Sequence, residues 1–142
     1  MRIVTRIFMP VFLMFILSTS TYAQTGDDPE KRAITASKVW LELVDNNHYA
    51  ESWETAAVLF KTAVSKEQWN KSLLSVRKPL GKVIKRELKS TQYTTSLPGA
   101  PDGEYVVIQY ETSFTNKKSA IETVTPMIGK DGKWRVSGYY IK

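Results

Sequence analysis

The spacing of apolar residues changes once along the chain, from a helical period in the first half to an alternating period in the second. Small or apolar side chains recur at intervals of three and four, the pattern of a buried helical stripe. This pattern predicts three helices, over about 30–45, 48–62 and 66–77. Asp45-Asn46-Asn47 should end the first helix because these side chains compete for backbone hydrogen bonds. Pro79 and Gly81 should stop the third.

From residue 82 onward apolar and polar positions alternate, which is typical of half-buried strands. Strands are expected over about 82–95, 104–115, 119–128 and 133–141. Alternation along the second strand should turn one set of side chains to the same face: Val106, Ile108, Tyr110, Thr112 and Phe114. The last strand should turn Trp134, Val136 and Tyr140 to one face of the sheet. An Asp-Gly turn at 129–132 predicts a hairpin between the last two strands. Four antiparallel strands after three helices indicate an α+β domain, with amino-terminal helices packed on a curved four-stranded sheet.

The amino-terminal segment has the three parts of a secretory signal. Arg2 and Arg6 supply positive charge, the apolar run Ile7–Leu17 follows, and small side chains lead to a cleavage position after Ala23. A helix that crosses a membrane needs about 20 apolar residues, so this run is short for a permanent anchor. We therefore expect an exported, periplasmic or secreted protein with no membrane span after cleavage. An uncleaved anchor is the alternative.

Composition limits what the remaining chain can be. Cleavage leaves 119 residues, a polar leader over 24–29 and a single domain over 30–142. The mature chain carries 18 basic and 14 acidic side chains, a mild excess that gives no reason to expect a nucleic-acid partner. The sequence has no cysteine, which excludes disulfides, zinc–thiolate and iron–sulfur sites, and a cysteine nucleophile. We expect no cofactor.

Several separated motifs resemble a known family. They are Trp40-Leu-Glu-Leu-Val-Asp45, Tyr49, Ser52-Trp53, Arg77-Lys-Pro-Leu-Gly81, Pro101-Asp-Gly-Glu-Tyr105 and Asp131-Gly-Lys-Trp-Arg-Val-Ser-Gly-Tyr-Tyr140. In this order they are similar to the small secreted bacterial proteins grouped as domain of unknown function 4019, over about 34–142. The order of helices and strands also resembles the cystatin-like or nuclear-transport-factor-like cone. Neither resemblance implies an activity, since that fold hosts enzymes, carriers and interaction modules.

Two titratable residues are candidates for chemistry in a pocket. Glu122 lies mid-strand on the same face as Ala120 and Val124, where a buried carboxylate would gain a raised pKa and could act as an acid or base. His48 is the only histidine, and it could pair with Asp45 at the mouth of the cone. The candidate pocket residues are Glu122, Tyr110, Tyr93, Arg135 and His48. The alternatives are an edge or outward position of Glu122, an ion pair of Glu122 with Arg135 across the sheet, and an exposed His48.

Other catalytic patterns are missing from the sequence. There is no Gly-x-Ser-x-Gly elbow and no glycine-rich phosphate loop. The Asp-Gly pairs at 102–103 and 131–132 lack the ligand number that calcium requires and are expected to be turns. One histidine without cysteine makes a transition-metal site unexpected.

Residues 77–89 hold six cations and one acidic residue, Glu87. The cations are Arg77, Lys78, Lys82, Lys85, Arg86 and Lys89. They could bind an anionic envelope surface or an acidic partner, or they could be a solvated helix end followed by a lysine-protected edge strand.

The four tryptophans lie on predicted inward stripes and are expected in the core, although some could instead line a ligand pocket. Three functions remain open. The first is a non-catalytic binding domain with an envelope or extracellular partner, which predicts a filled cone. The second is a carrier or enzyme for a small apolar molecule, with an open pocket around Glu122 and Tyr110. The third is an anionic-surface binder through residues 77–89.

Overall fold

The computed structural model describes residues 28–142, and the predicted signal peptide and most of the leader lie outside them. Within residues 28–142, four α-helices precede four strands. The helices are α1 (Pro29–Asp45), α2 (Tyr49–Glu54), α3 (Val58–Ala63) and α4 (Lys66–Val76), and a 3-10 turn covers Lys78–Leu80. The strands are β1 (Val83–Thr94), β2 (Tyr105–Phe114), β3 (Lys117–Ile128) and β4 (Trp134–Ile141). The predicted α+β class, with helices packed on a four-stranded antiparallel sheet, is confirmed.

Helix α1 begins and ends where its side chains favour a helix boundary. The Asp28 carboxylate accepts a hydrogen bond from the Glu30 amide, and Pro29 occupies the first turn, where its missing N–H costs nothing. After Asp45 the backbone reverses through Asn47 at φ 62°, a left-handed conformation that asparagine tolerates better than most residues. The helix therefore stops with the Asp45 side chain at its carboxyl end.

The predicted second helix, 48–62, is wrong as one element. It divides into α2 and α3 at Thr55–Ala57, where Ala57 is extended rather than helical. The Ala57 amide donates to the Val136 carbonyl on β4 at 2.8 Å instead of bonding within a helix. This bond ties the corner to the edge of the sheet, and it explains why Ala56 and Ala57 are buried although neither lies within a helix.

The sheet is a meander of order β1-β2-β3-β4, and α1 packs across all four strands. The predicted inward face of β2, from Val106 to Phe114, is buried at every second position. Strand β1 pairs with β2 through two bulges, at Ile84 and Lys89, which reset the direction of its side chains. Gly81, just before β1, has φ 80°, and a Cβ there would lie 1.9 Å from the Thr115 hydroxyl oxygen. Glycine is therefore required at this turn.

Strand β4 departs from simple alternation. Trp134 and Val136 face the core as predicted, but Tyr140 is 51 % exposed, so its predicted inward position is wrong. A bulge at Ser137 is the cause, since Thr125 pairs with Gly138 while Pro126 pairs with Val136. One extra residue in the strand moves every later side chain to the opposite face. Tyr139 consequently packs against the core in place of Tyr140.

Three of the four tryptophans are buried as predicted, and Trp53 is only partly buried. Trp40 and Trp69 pack against each other with ring centroids 5.9 Å apart, and both contact the Tyr139 ring. Buried Ser52 satisfies their indole N–H groups, because Trp40 donates to its carbonyl and Trp69 to its hydroxyl. Aromatic rings therefore fill the space between the helices and β4.

Candidate functional site

Glu122 of β3 lies in the interior, with 0 % of its surface exposed. Its Oε1 accepts hydrogen bonds from Thr112 Oγ1 at 2.6 Å and from Arg86 Nε at 2.7 Å. Its Oε2 accepts from the Tyr139 hydroxyl at 2.5 Å. Three fixed donors therefore surround a carboxylate that would be costly to bury without partners.

Arg86 connects this carboxylate to the end of α1. Its Nη1 and Nη2 donate to the two Asp45 oxygens at 2.7 and 3.0 Å, while its Nε faces Glu122. The bulge at Ile84 makes this possible, since it places Arg86 opposite the inward-facing Thr112. A planar guanidinium suits such a bridge because it presents several N–H groups in fixed directions.

Arg77, which caps α4, completes the arrangement. Its Nη2 donates to Asp45 Oδ1 at 2.8 Å, and its Nη1 donates to the Gly81 carbonyl at 2.8 Å. The guanidinium also stacks over the Phe114 ring at 4.4 Å. We call the six connected residues the Glu122 cluster; they are Asp45, Arg77, Arg86, Thr112, Glu122 and Tyr139.

The charges of the Glu122 cluster balance, with two guanidiniums and two carboxylates. Burial opposes ionisation of Asp45, but hydrogen bonds and charges from Arg86 and Arg77 outweigh it and hold the pKa of Asp45 below its ordinary value. Burial likewise opposes the charge of Arg86, and its bonds to Asp45 and Glu122 nevertheless raise the pKa of that guanidinium. Burial, then the Glu122 charge, raise the pKa of Tyr139 well above its usual range. Tyr139 therefore donates as a neutral phenol.

Of the predicted pocket residues, only Tyr110 lies beside Glu122. The two are paired across β2 and β3, and both are buried. The Tyr110 hydroxyl shares a 2.6 Å hydrogen bond with the Ser37 hydroxyl of α1. Burial raises the pKa of Tyr110, although the bond to Ser37 opposes the shift. Tyr110 thus anchors α1 to the sheet.

The other three predicted pocket residues lie elsewhere. Tyr93 is partly exposed on β1 and donates to Glu104 at 2.9 Å. Arg135 forms a two-point ion pair with Asp131 in the β3–β4 hairpin, at 3.0 and 2.7 Å. Of the two alternatives for His48, the structure has the exposed position at the start of α2, with the ring 3.7 Å from Glu51, and not a pair with Asp45. These side chains do not converge on one site.

The six cations of residues 77–89 divide into two groups. Arg77 and Arg86 point inward and belong to the Glu122 cluster. The four lysines, Lys78, Lys82, Lys85 and Lys89, are exposed, and Lys85 pairs with Glu87 at 2.9 Å. The outward charge of this stretch is therefore smaller than its sequence suggests.

Glu122 is enclosed by protein groups and lies away from the described grooves. Four surface grooves of about 410 to 680 Å³ lie elsewhere, and Glu122 lines none of them. Both Glu122 oxygens are occupied by donors from β1, β2 and β4. Within residues 28–142, no group of three or more acidic, histidine or cysteine side chains is arranged to hold a metal ion.

Replacing Tyr139 by Phe should lower the free energy of unfolding by about 1–3 kcal/mol, because Glu122 Oε2 loses its donor in a buried setting. Tyr140→Phe is the matched control, since Tyr140 is 51 % exposed and the loss of its hydroxyl should matter by less than about 0.5 kcal/mol. Urea unfolding followed by circular dichroism measures both. Equal effects of the two substitutions would contradict the inward placement of Tyr139.

One protein-family model matches most of this chain. The model of a family described as a protein of unknown function, DUF4019, matches residues 36–139. The chain belongs to the DUF4019 family. The matched span of this DUF4019 chain contains all six residues of the Glu122 cluster. No curated protein matches it at a significant level.

Within residues 28–142, no helix could cross a membrane. None of the helices in this part of the DUF4019 chain is both long enough and apolar enough to span a bilayer.

Proposed function

We propose that this DUF4019 chain is an exported, non-catalytic binding domain of the bacterial envelope or the extracellular space. The amino-terminal charge, apolar run and small residues before position 24 support export. The absence of cysteine is no obstacle outside the cytoplasm, because the domain is held together by its aromatic core and its buried ion pairs.

The enclosed Glu122 carboxylate is the observation that supports a non-catalytic role. An acid–base site needs a carboxylate within reach of a substrate, and the Glu122 carboxylate instead meets three protein donors. The rings of Trp40, Trp69 and Tyr139 occupy the neighbouring space. Recognition is therefore assigned to the outer surface, where the described grooves lie.

Binding to an anionic surface through residues 77–89 has less support. Two of its six cations face inward, and the remaining lysines lie on and before the edge strand β1. Lysines on an edge strand also discourage unwanted strand pairing, which is a sufficient reason for their presence.

Expression of the full chain in a bacterial host tests the proposal. The periplasmic fraction should contain a mature chain of 119 residues that begins at Gln24. Native mass spectrometry should show added mass, from a partner or small molecule, that is lost on mild denaturation. Ala23→Arg is the control and should block cleavage. A full-length chain in the cytoplasm would contradict export, and a mature chain without added mass would contradict binding.

A further inference from the structure

The groove with the largest volume of the four described above lies where the helical corner meets the β3–β4 hairpin. It has a volume of about 680 Å³, within the range of about 300–1,000 Å³ that small-molecule sites occupy. We call it the corner groove. Its apolar lining comes from Ala56, Ala57, Val58, Leu59, Met127 and Ile128.

The apolar lining is partly open to water. Val58, at the start of α3, is 75 % exposed, the highest value among the exposed large apolar side chains of residues 28–142. Leu59, Met127 and Ile128 are partly covered. The Ala57–Val136 hydrogen bond fixes the corner against β4, so this lining is already formed. Apolar surface that is preorganised and wet gains free energy when an apolar group covers it.

The rim of the corner groove carries more positive than negative side chains. Its two carboxylates are already paired, Glu54 with Lys66 at 2.6 Å and Asp131 with Arg135. Lys61 donates to the Glu54 backbone carbonyl at 3.2 Å and lies 5.9 Å from the Trp53 ring centre. The pKa of Glu54 is lowered mainly by Lys66 and more weakly by the charge of Lys61. Lys130 is exposed and forms no ion pair with any residue from 28 to 142.

We propose that the corner groove binds a free single-chain amphiphile with an anionic head. The apolar tail would cover Val58 and its neighbours, and the head would lie between Lys61 and Lys130. A cationic head would meet an excess of positive charge, because three cations and two carboxylates line the corner groove. This inference rests on the proposed binding function and adds to it the site and the class of ligand.

Titration calorimetry with dodecanoate, below its micellar concentration, tests the site on the mature domain. Dodecyltrimethylammonium has the same tail with a cationic head and should bind at least about tenfold more weakly. Lys61→Glu/Lys130→Glu should weaken dodecanoate binding about tenfold, because the anionic head loses two cationic partners and meets two carboxylates in their place. Lys38→Glu/Lys118→Glu, at two exposed lysines that do not line the groove, is the control and should change nothing.

A second variant tests the apolar lining. Val58→Asp should weaken dodecanoate binding at least tenfold, while Val39→Asp, at a valine that is 60 % exposed on α1, should leave it unchanged. Because both valines are exposed, both variants should keep the circular dichroism spectrum of the parent domain.

Three outcomes would overturn the proposal. They are equal binding of the two head groups, binding that the groove variants leave unchanged, and binding to phosphatidylglycerol vesicles without binding of monomeric dodecanoate. If dodecanoate fails but native mass spectrometry still finds another bound molecule, the corner groove assignment is wrong and the binding function stands. If neither calorimetry nor native mass spectrometry detects a ligand, the corner groove assignment and the proposed binding function are both wrong.

Discussion

Glu122→Gln is expected to lower the free energy of unfolding by about 3–5 kcal/mol, because it removes one partner of a buried ion pair. The substitution keeps the shape of the side chain and deletes its charge. Arg77 and Arg86 would then share the single carboxylate of Asp45 in a largely buried setting. The new amide N–H₂ would also face donors, since both oxygens of Glu122 accept hydrogen bonds.

Urea unfolding of the mature domain, followed by tryptophan fluorescence and circular dichroism, measures this loss. Glu111→Gln is a matched control on the neighbouring strand, where the carboxylate is exposed and the change should be within about 0.5 kcal/mol. A similarly small effect at both glutamates would show that the Glu122 charge is not needed to hold the cluster.

A milder variant keeps this prediction testable if Glu122→Gln does not fold. Thr112→Val removes one of three donors and should cost about 1–3 kcal/mol. The double variant Thr112→Val/Tyr139→Phe should change the free energy of unfolding by an amount that differs from the sum of the two single changes. The two changes are coupled because both hydroxyls bond to the same carboxylate. Strict additivity would contradict a shared cluster.

Periodicity alone predicted most of the fold, because burial on one face sets the spacing of apolar residues. The bounds of α1, α4 and all four strands came within a few residues of the observed ones. The break at Thr55–Ala57 was missed since the apolar residues there keep a helical spacing. It depends on a hydrogen bond to Val136, about 80 positions away in the sequence. Local patterns carry no information on such a contact.

The candidate site was less predictable than the fold. Alternation along β3 grouped Glu122 with Ala120 and Val124 but left an inward and an outward position open, and in the structure the side chain is buried. Its partners were not found, because Arg86 and Tyr139 reach it only through bulges at Ile84 and Ser137. In the sequence, Arg86 stands among lysines and cannot be told from an ordinary solvated cation. The one available signal was that both inward cations of the stretch are arginines, which pair with carboxylates at two points.

Acid should remove the contribution of Asp45 to stability. Its folded pKa lies below the ordinary value of 3.8 because Arg86 and Arg77 outweigh the effect of burial. A carboxyl group whose pKa is lowered by folding contributes fully above its unfolded pKa and loses that contribution as pH falls through its folded pKa. The loss is therefore expected below about pH 4 and not near neutrality.

Asp45→Asn measures this contribution directly. At pH 7 it should lower the free energy of unfolding by about 2–4 kcal/mol, less than a fully buried charge because the side chain is 24 % exposed. The difference from the parent should stay constant above about pH 5 and shrink as pH falls below 4. Urea unfolding at half-unit steps between pH 2.5 and about 7 gives the profile. A difference that stays the same at pH 2.5 would show that the charge of Asp45 does not hold the cluster.

Asp131→Asn separates this effect from ordinary surface electrostatics. The pKa of Asp131 is also lowered, by hydrogen bonds from Arg135 and the Lys133 amide, but this ion pair is on the surface. About 1 M salt shortens the screening length to about 3 Å and should abolish most of the contribution of the Asp131–Arg135 pair. The Asp45 contribution should persist, because Arg77 is almost fully buried and Arg86 largely so. Equal loss of both in salt would mean that water reaches the Glu122 cluster, which is incompatible with a filled interior.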